Sequence, residues 1–371
     1  MANESIAQKF RSYFRRQMAS DSAVLTSEQL LQKYSDGVRV CPSYLRELVI
    51  LSNGDVTTCC LDAKGENTLG NCHEKPLQEI WSGSILPWHQ KNIQDNLNGC
   101  EWQSPLCNTC FRLGVMKPFG VEISRDPDKV ALFHQETPPF PSLSLVIEPT
   151  AGCNYKCWGC YTGLGQISTR TTKILKIDKF KENILPVIHL VGQVRLYNYG
   201  ETFLHPDIIE MITLMRAANP TMRIDISTNG MLMNEAIADA LIDSKVNYLS
   251  VSMHGGHTQE GLMKYALQGA DVDVVAKNVK YLTDAKRKRG AKLPWVFLKA
   301  LLLEWNDSEE EMEGFLRFGK NLGADFTGWD LNASDPARSS KRVAPGTEAY
   351  SKLVERKLLL KDFYRDFPAW P

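Results

Sequence analysis

The chain of 371 residues carries no net charge, because 43 Lys and Arg are balanced by 43 Asp and Glu. It therefore lacks the overall field that gathers nucleic acid or an anionic membrane, and neither is an expected partner. It also lacks any run approaching the roughly 18 apolar residues that cross a bilayer. Residues 1–22 have no apolar core of the kind a secretory signal needs. These absences lead us to expect a cytoplasmic protein whose ligand is a small molecule or a peptide. In that reducing compartment, clustered cysteines serve more often as metal ligands or catalytic groups than as disulfides.

Cysteine is not scarce. There are ten, of which Cys153, Cys157 and Cys160 fall within eight residues, separated by three residues and then by two. Three thiolates on so short a loop can hold three corners of a cuboidal iron–sulfur cluster, since soft sulfur ligands suit iron. One iron then has no protein ligand, and a site open by one position is a catalytic arrangement. A zinc site or inert thiols are the alternative reading of a lone triplet.

This spacing resembles the CxxxCxxC signature of the radical S-adenosylmethionine (SAM) superfamily. The resemblance implies that SAM chelates the open iron, and that reductive cleavage of SAM yields a 5′-deoxyadenosyl radical that abstracts hydrogen from a substrate. It also implies an external electron donor such as flavodoxin or ferredoxin. The family usually has an aromatic residue just before the last cysteine. Here Gly159 stands in that place and Trp158 and Tyr161 carry the rings, so Trp158 is the ring expected near the cofactor.

The other seven cysteines precede the triplet. Periodic apolar residues give an amphipathic helix over residues 4–18, and Thr26 with Gln29 has capping-box spacing for a second short helix ending near Tyr34. Residues 1–36 form this helical segment. From about residue 37 to 118 short strands and turns take over. Leu48 to Leu51, Asn53-Gly54 and Val56 onward read as a β-hairpin, which brings Cys41 and Cys59 toward each other; Cys107 and Cys110 complete a candidate four-thiolate site. The spacing of Cys41, Gly54 and Cys59, the later Cys107/Cys110 pair and the Leu69 to Trp81 stretch between them resemble the SPASM/twitch auxiliary-cluster domains of radical SAM enzymes. The resemblance implies a second four-iron, four-sulfur cluster on Cys41, Cys59, Cys107 and Cys110, in the single-cluster twitch form. Such domains commonly follow the barrel, whereas this one precedes it. A structural zinc is the alternative for these four. Cys60, Cys72 and Cys100 read as small buried hydrophobes, with a hydrogen-atom donor as the alternative role. A linker spans 119–141 and ends in Pro138-Pro139-Phe140-Pro141.

Beyond the linker, strands at 143–148, 194–199, 222–227, 248–253, 295–303 and 326–331 alternate with helices at about 206–217 and 234–244, one or two helices up to Arg289, and a helix at about 308–322. Alternation of this kind implies parallel strands with right-handed crossovers. This matches the partial (β/α)6 barrel that the radical SAM resemblance implies, so the expected fold is α/β, with that barrel over 142–335 and a small cysteine-rich α+β domain before it. A tail at 336–371 holds a helix from about Glu348 to Asp362 and an aromatic end.

Chemistry in such barrels gathers at the C-terminal ends of strands. The second strand ends at Gly200-Glu201, which resembles the family's Gly-Gly-Glu-Pro motif and is implied to hold the SAM amino group. Ser227, Asn229, Ser250 and Ser252 end the third and fourth strands and by resemblance also contact SAM, with turn chemistry as the plain alternative. Lys299 sits in an apolar strand and is expected to point inward, in a structural ion pair or as a catalytic base. His254 is expected to be a surface loop residue.

The sequence thus points to a radical SAM enzyme with two four-iron, four-sulfur clusters. It is expected to act on a small polar metabolite such as a sugar, nucleoside or amino-acid derivative, by oxidation or epimerisation. A peptide- or protein-modifying maturase is the rival, and a zinc-stabilised binding protein without redox chemistry is a third reading.

Overall fold

In the computed structural model the chain divides into two units, one of residues 1–50, 54–145 and 179–192, the other of 51–53, 146–178 and 193–371. The structure describes residues 38–40, 47–85, 87–88, 91, 122–124, 144–167, 170, 172–331 and 337–360, with backbone alone at 38–40 and 122–124. The helices expected at 4–18 and 26–34, the proline-rich end of the linker and the aromatic end of the tail lie outside those residues, while residues 122–124 of the expected linker form a strand instead, because they pair with 38–40.

In the first unit β1 (Val38–Val40) pairs antiparallel with β5 (Glu122–Ser124). The expected hairpin is formed by β2 (Glu47–Ile50) and β3 (Asp55–Thr57), with Val49 opposite Thr57. β4 (Gly70–Asn71) adds to β3, and the Asn71 amide donates to Asp55 Oδ1 at 2.9 Å, fixing the register. Leu77, Ile80, Trp81 and Ile85 bury one side of a short helical segment. Cys72 is fully buried and desolvation pushes its thiol up to about 12, so it is the inert small hydrophobe expected. Cys60 departs from that expectation, being half-buried.

Six strands lie side by side in chain order, in the second unit except for the first two residues of β6: β6 (Ser144–Ile147), β7 (Gln193–Leu196), β8 (Arg223–Thr228), β9 (Tyr248–Ser252), β10 (Trp295–Leu302) and β11 (Phe326–Leu331). Neighbours from β7 to β11 are parallel, and the sheet is open. Helices α1 (Ile208–Ala218), α2 (Glu235–Asp243), α3 (Gln259–Ala266), α4 (Val272–Lys288) and α5 (Glu309–Leu322) form the crossovers, and α6 (Glu348–Glu355) follows. Their starts are set by capping side chains. Asn234 accepts from Ile237 N, Thr258 from Gly261 N and Ser308 from Glu311 N, each satisfying an amide the helix cannot.

The two faces of this sheet differ in chemistry. Ile224, Ile226, Leu249, Val251, Val296, Leu298 and Ala300 are all sealed on one face. On that same side Phe315 of α5 packs on Trp329 of β11, with ring centroids 5.6 Å apart. The opposite face begins with Tyr248, Phe297 and Phe326 packed together beside Leu360. Further along the same alternation stand Ser250 and Ser252, Lys299, and Asp330. An apolar floor thus gives way to polar groups toward the C-terminal strand ends.

Two boundaries differ from expectation. β7 ends at Leu196 rather than Tyr199, because the Tyr199 amide donates to Glu148 Oε2 instead of to a neighbouring strand. Of the one or two helices expected after β9 the structure has two, the first ending before Leu267, which takes φ +60°. The tail helix stops at Glu355, where Lys357 takes φ +55°.

Candidate functional site

The cysteine loop leaves the end of β6 and is tied down on two sides. On the first, the Ala151 amide donates to the Lys173 carbonyl at 2.9 Å, and the Glu201 amide to the Gly152 carbonyl at 2.8 Å. On the other, the Lys156 and Trp158 amides donate to the Ala266 and Tyr265 carbonyls at the end of α3. Gly163 closes the loop. A Cβ there would overlap the Cys157 backbone, 2.7 Å from its nitrogen, so only glycine lets the chain fold back so closely.

The three thiols share one partly buried pocket of charge. The Cys153 thiol is pushed up to about 11, chiefly by burial and then by the Glu201 and Cys160 charges. Cys157 is pushed up by burial, then by Cys160 and Cys153. Thiolates that raise one another in this way fit a cationic iron centre that would relieve both repulsion and desolvation. Among the described residues no three His, Cys, Asp or Glu side chains form a ready single-ion site. A cuboidal cluster holds its sulfurs farther apart than one zinc ion does, so the donor chemistry rather than that convergence makes the fit.

Gly200 and Glu201 press directly on this loop. A Cβ on Gly200 would overlap the Thr150 carbonyl and come within 2.9 Å of the Gly152 oxygen. Glu201 is 3% exposed, and its carboxylate accepts from Thr228 Oγ1 at 2.6 Å, Asn229 N at 2.8 Å and Phe203 N at 3.2 Å. Burial raises its pKa against those three hydrogen bonds. With three of about four acceptor positions used, Glu201 is a brace between β7 and β8 with room for one further donor. Asn229 completes the link. Its amide donates to Asn154 Oδ1 at 2.7 Å and lies 3.9 Å from Cys153 Sγ. The structure thus gathers Cys153, Gly200, Glu201 and Asn229 at one point.

The serines are placed less uniformly. Ser227 is half-buried, and its carbonyl accepts from Thr202 Oγ1. Ser250 Oγ is buried without a partner among the described residues, and Ser252 is half-buried beside Lys299 in register. Trp158 Nε1 is likewise buried and unpaired. An unpaired buried polar group in a native fold calls for a ligand or water, and two strand ends and the cysteine loop here present such groups or half-buried hydroxyls.

An aromatic group that sequence reading missed surrounds Trp158. Its ring meets Tyr265 edge-on at 5.3 Å and Trp305 at 6.4 Å, and the Arg338 guanidinium lies over it at 4.6 Å. Tyr265 was visible in part, since the Thr258 cap starts a helix that puts Leu262, Tyr265 and Ala266 on one buried face. His254 is a correction. Its ring packs edge-on against Tyr265 at 5.0 Å and its Nδ1 is buried, because the chain turns inward after β9. Lys299 also departs from expectation. It points inward, yet makes no hydrogen bond or ion pair among the described residues, and Asp330 acts on it only from a distance.

Of the four auxiliary cysteines, Cys59 is half-buried just beyond β3, with its sulfur accepting from Leu61 N at 3.4 Å. Cys41, Cys107 and Cys110 lie outside the described residues.

An open six-stranded α/β barrel sheet with a three-cysteine loop at the end of its first strand is the architecture of a SAM-binding iron–sulfur protein. The family models agree. Residues 147–316 match the Radical SAM superfamily and residues 41–111 match SPASM, an iron–sulfur cluster-binding domain. Residues 147–316 are thus a radical SAM domain, with the SPASM domain N-terminal to it. Among solved structures it is similar to Streptococcus suis SuiB bound to S-adenosylmethionine, at 15% identity and TM-score 0.46 over 76% of this chain and 60% of that one. It is also similar to anSMEcpe with bound AdoMet, at 20% identity and TM-score 0.42 over 60% and 61%. Methylornithine synthase matches at 16% identity and TM-score 0.38 over 52% and 55%. The chain thus spans about three fifths of the first of these structures. A search of curated proteins gave no match.

Proposed function

We propose that this chain cleaves SAM reductively at a four-iron, four-sulfur cluster on Cys153, Cys157 and Cys160, and that hydrogen is abstracted from a small polar substrate. The cluster and SAM supply a 5′-deoxyadenosyl radical; the chain supplies position. Gly200 and Glu201 receive the SAM amino group, the Glu201 carboxylate accepting one further hydrogen bond. Asn229 fixes the loop beneath it. Ser227, Ser250 and Ser252 offer hydroxyls to the ribose or carboxylate, and Trp158 offers a ring to the adenine. The observation that carries this reading is the Asn229–Glu201–Cys153 junction, where the ends of β6, β7 and β8 are tied into one site. A second cluster on Cys41, Cys59, Cys107 and Cys110, in twitch form, would take up an electron in a net oxidation; epimerisation would instead need a thiol to return hydrogen. The reductant is flavodoxin or ferredoxin, in the cytoplasm.

Anaerobic purification with iron and sulfide counting tests this. About eight irons, two clusters of four, are expected, and zinc without iron would overturn the reading. With a reductant, 5′-deoxyadenosine should be released, and deuterium should pass into it from the right labelled substrate. Deuterium transfer from a labelled peptide, and from no small metabolite, would establish the maturase activity instead.

A further inference from the structure

Beyond the SAM contacts, the interior face of β9 to β11 carries a cation, Lys299, that closes no ion pair among the described residues. Its place is fixed by the strand alternation. Phe297 packs on Phe326 at 4.8 Å and on Tyr248 at 5.9 Å, away from the helix layer. Lys299, two residues on, therefore stands on the interior face, level with Ser252 on one side and Gly328 on the other. Asp330 lies one pleat further along β11, level with Leu301. It draws on Lys299 without closing an ion pair, and its own carboxylate accepts from the Leu331 amide. His254 completes the group, its Nδ1 buried and unpaired and its ring against Tyr265, which in turn meets Trp158 of the cysteine loop. The cluster is thus one aromatic ring away from that loop.

Each member is in an unfavourable state as it stands. Burial lowers the Lys299 pKa and raises that of Asp330. Burial, then the Lys299 charge, pushes His254 down to about 3, so its imidazole is neutral. A half-buried ammonium without a partner is costly, and an anion placed against it would remove that cost. A single carboxylate matches one lysine. A phosphate dianion would need a second cation at the same point, and β9 to β11 present only Asp330 there.

We infer that Lys299 and His254 form a substrate-binding subsite, in which the ammonium and the imidazole hold a carboxylate of the substrate at the C-terminal mouth of the barrel. The substrate class is then a small carboxylic acid. This rests on the radical SAM reading for its chemistry but not for its binding.

The test uses the anaerobically reconstituted protein, with propionate, propionamide and inorganic phosphate as probes. Trace acetylation of lysines by acetic anhydride, read by mass spectrometry, reports how accessible and how neutral Lys299 is. Propionate should protect Lys299 about fivefold or more, and propionamide and phosphate should protect it little, as expected if a monoanion closes on the ammonium. Lys299→Met should weaken propionate binding by about tenfold and Lys299→Arg by less than about threefold. SAM affinity should stay within about twofold in both variants. Absence of propionate protection, or stronger protection by phosphate, overturns the proposal. So does a tenfold loss of SAM affinity in Lys299→Met, which would assign the ammonium to the SAM carboxylate. Failure of the radical SAM reading would appear separately, as absence of iron or of 5′-deoxyadenosine while Lys299 protection persists.

Discussion

Replacing Gly200 by alanine tests whether the second strand end and the cysteine loop are one packed unit. The new methyl would fall on the Thr150 carbonyl, 2.6 Å from its carbon and 2.9 Å from the Gly152 oxygen. Every atom it meets is backbone, so no side-chain rotamer can relieve the clash. The turn must move away from the loop, at about 1–3 kcal/mol for overpacking. The same movement breaks the 2.8 Å bond from the Glu201 amide to the Gly152 carbonyl, at about 1 kcal/mol more. A loss of about 2–4 kcal/mol corresponds to a fall in melting temperature of roughly 4–16 °C for a unit of this size. Gly159→Ala is the internal control. Its methyl would meet only the Tyr265 hydroxyl, at 3.5 Å, an ordinary contact, so its effect should stay within about 0.5 kcal/mol. Thermal unfolding of the two variants, together with iron content and SAM affinity, decides the matter. If Gly200→Ala melts with the native chain and keeps its SAM affinity, the clamp does not exist. Equal losses in both variants would also refute the argument, since it depends on backbone rather than on glycine as such.

Four further outcomes follow from the same geometry. Glu148 is fully buried, pairs with Arg170 and accepts from the Ser52 and Tyr199 amides; Glu148→Gln should lose about 3–5 kcal/mol, the cost of leaving a buried charge uncompensated, measured by urea unfolding. His254 has its pKa pushed down to about 3, below its unfolded value. The folded state therefore binds fewer protons, and the stability that His254 contributes is present above about pH 6.5 and lost as pH falls toward 3. His254→Phe should accordingly lose less stability than the native chain between pH 8 and about 5.5, and parallel losses would exclude a buried neutral ring. Cys59→Ala should cut bound iron from about eight to about four per chain, and unchanged iron would remove Cys59 from the ligand set. Gly159→Phe should destabilise the loop by driving a ring into Tyr265, and Tyr265→Ala in the same chain should recover about 1 kcal/mol or more as a double-mutant coupling; simple additivity would separate the two sites.

Strand positions were legible because each barrel strand is bounded by a local signal. β8, β9, β10 and β11 fall within a residue or so of the apolar runs, and Asn234 and Ser308 mark helix starts by type alone. The cysteine triplet and the Gly200-Glu201 turn were legible for a similar reason, each being a short contiguous pattern. What could not be read depends on residues far apart in the chain. Nothing near Glu148 announces Arg170, and their pairing also decides where β7 stops. His254 reads as a loop residue because its burial is supplied by Tyr265 of the next helix. Lys299 reads as one half of an ion pair because a sequence does not disclose that Asp330 sits a pleat too far along β11.

The glycine before Cys160 can be understood from the same long-range contacts. A ring at position 159 would have to occupy the side of the loop that Tyr265 already fills, its hydroxyl lying 3.5 Å from where a Cβ would be. Tyr265 is also the residue whose carbonyl accepts the Trp158 amide, so its helix both anchors the loop and furnishes the neighbouring ring. Trp158, one position earlier, is then turned toward Trp305 and Arg338, which lie on the segments that follow β10 and β11. Moving the ring from the motif to α3 thus couples the cysteine loop to the half of the barrel that holds Lys299 and His254.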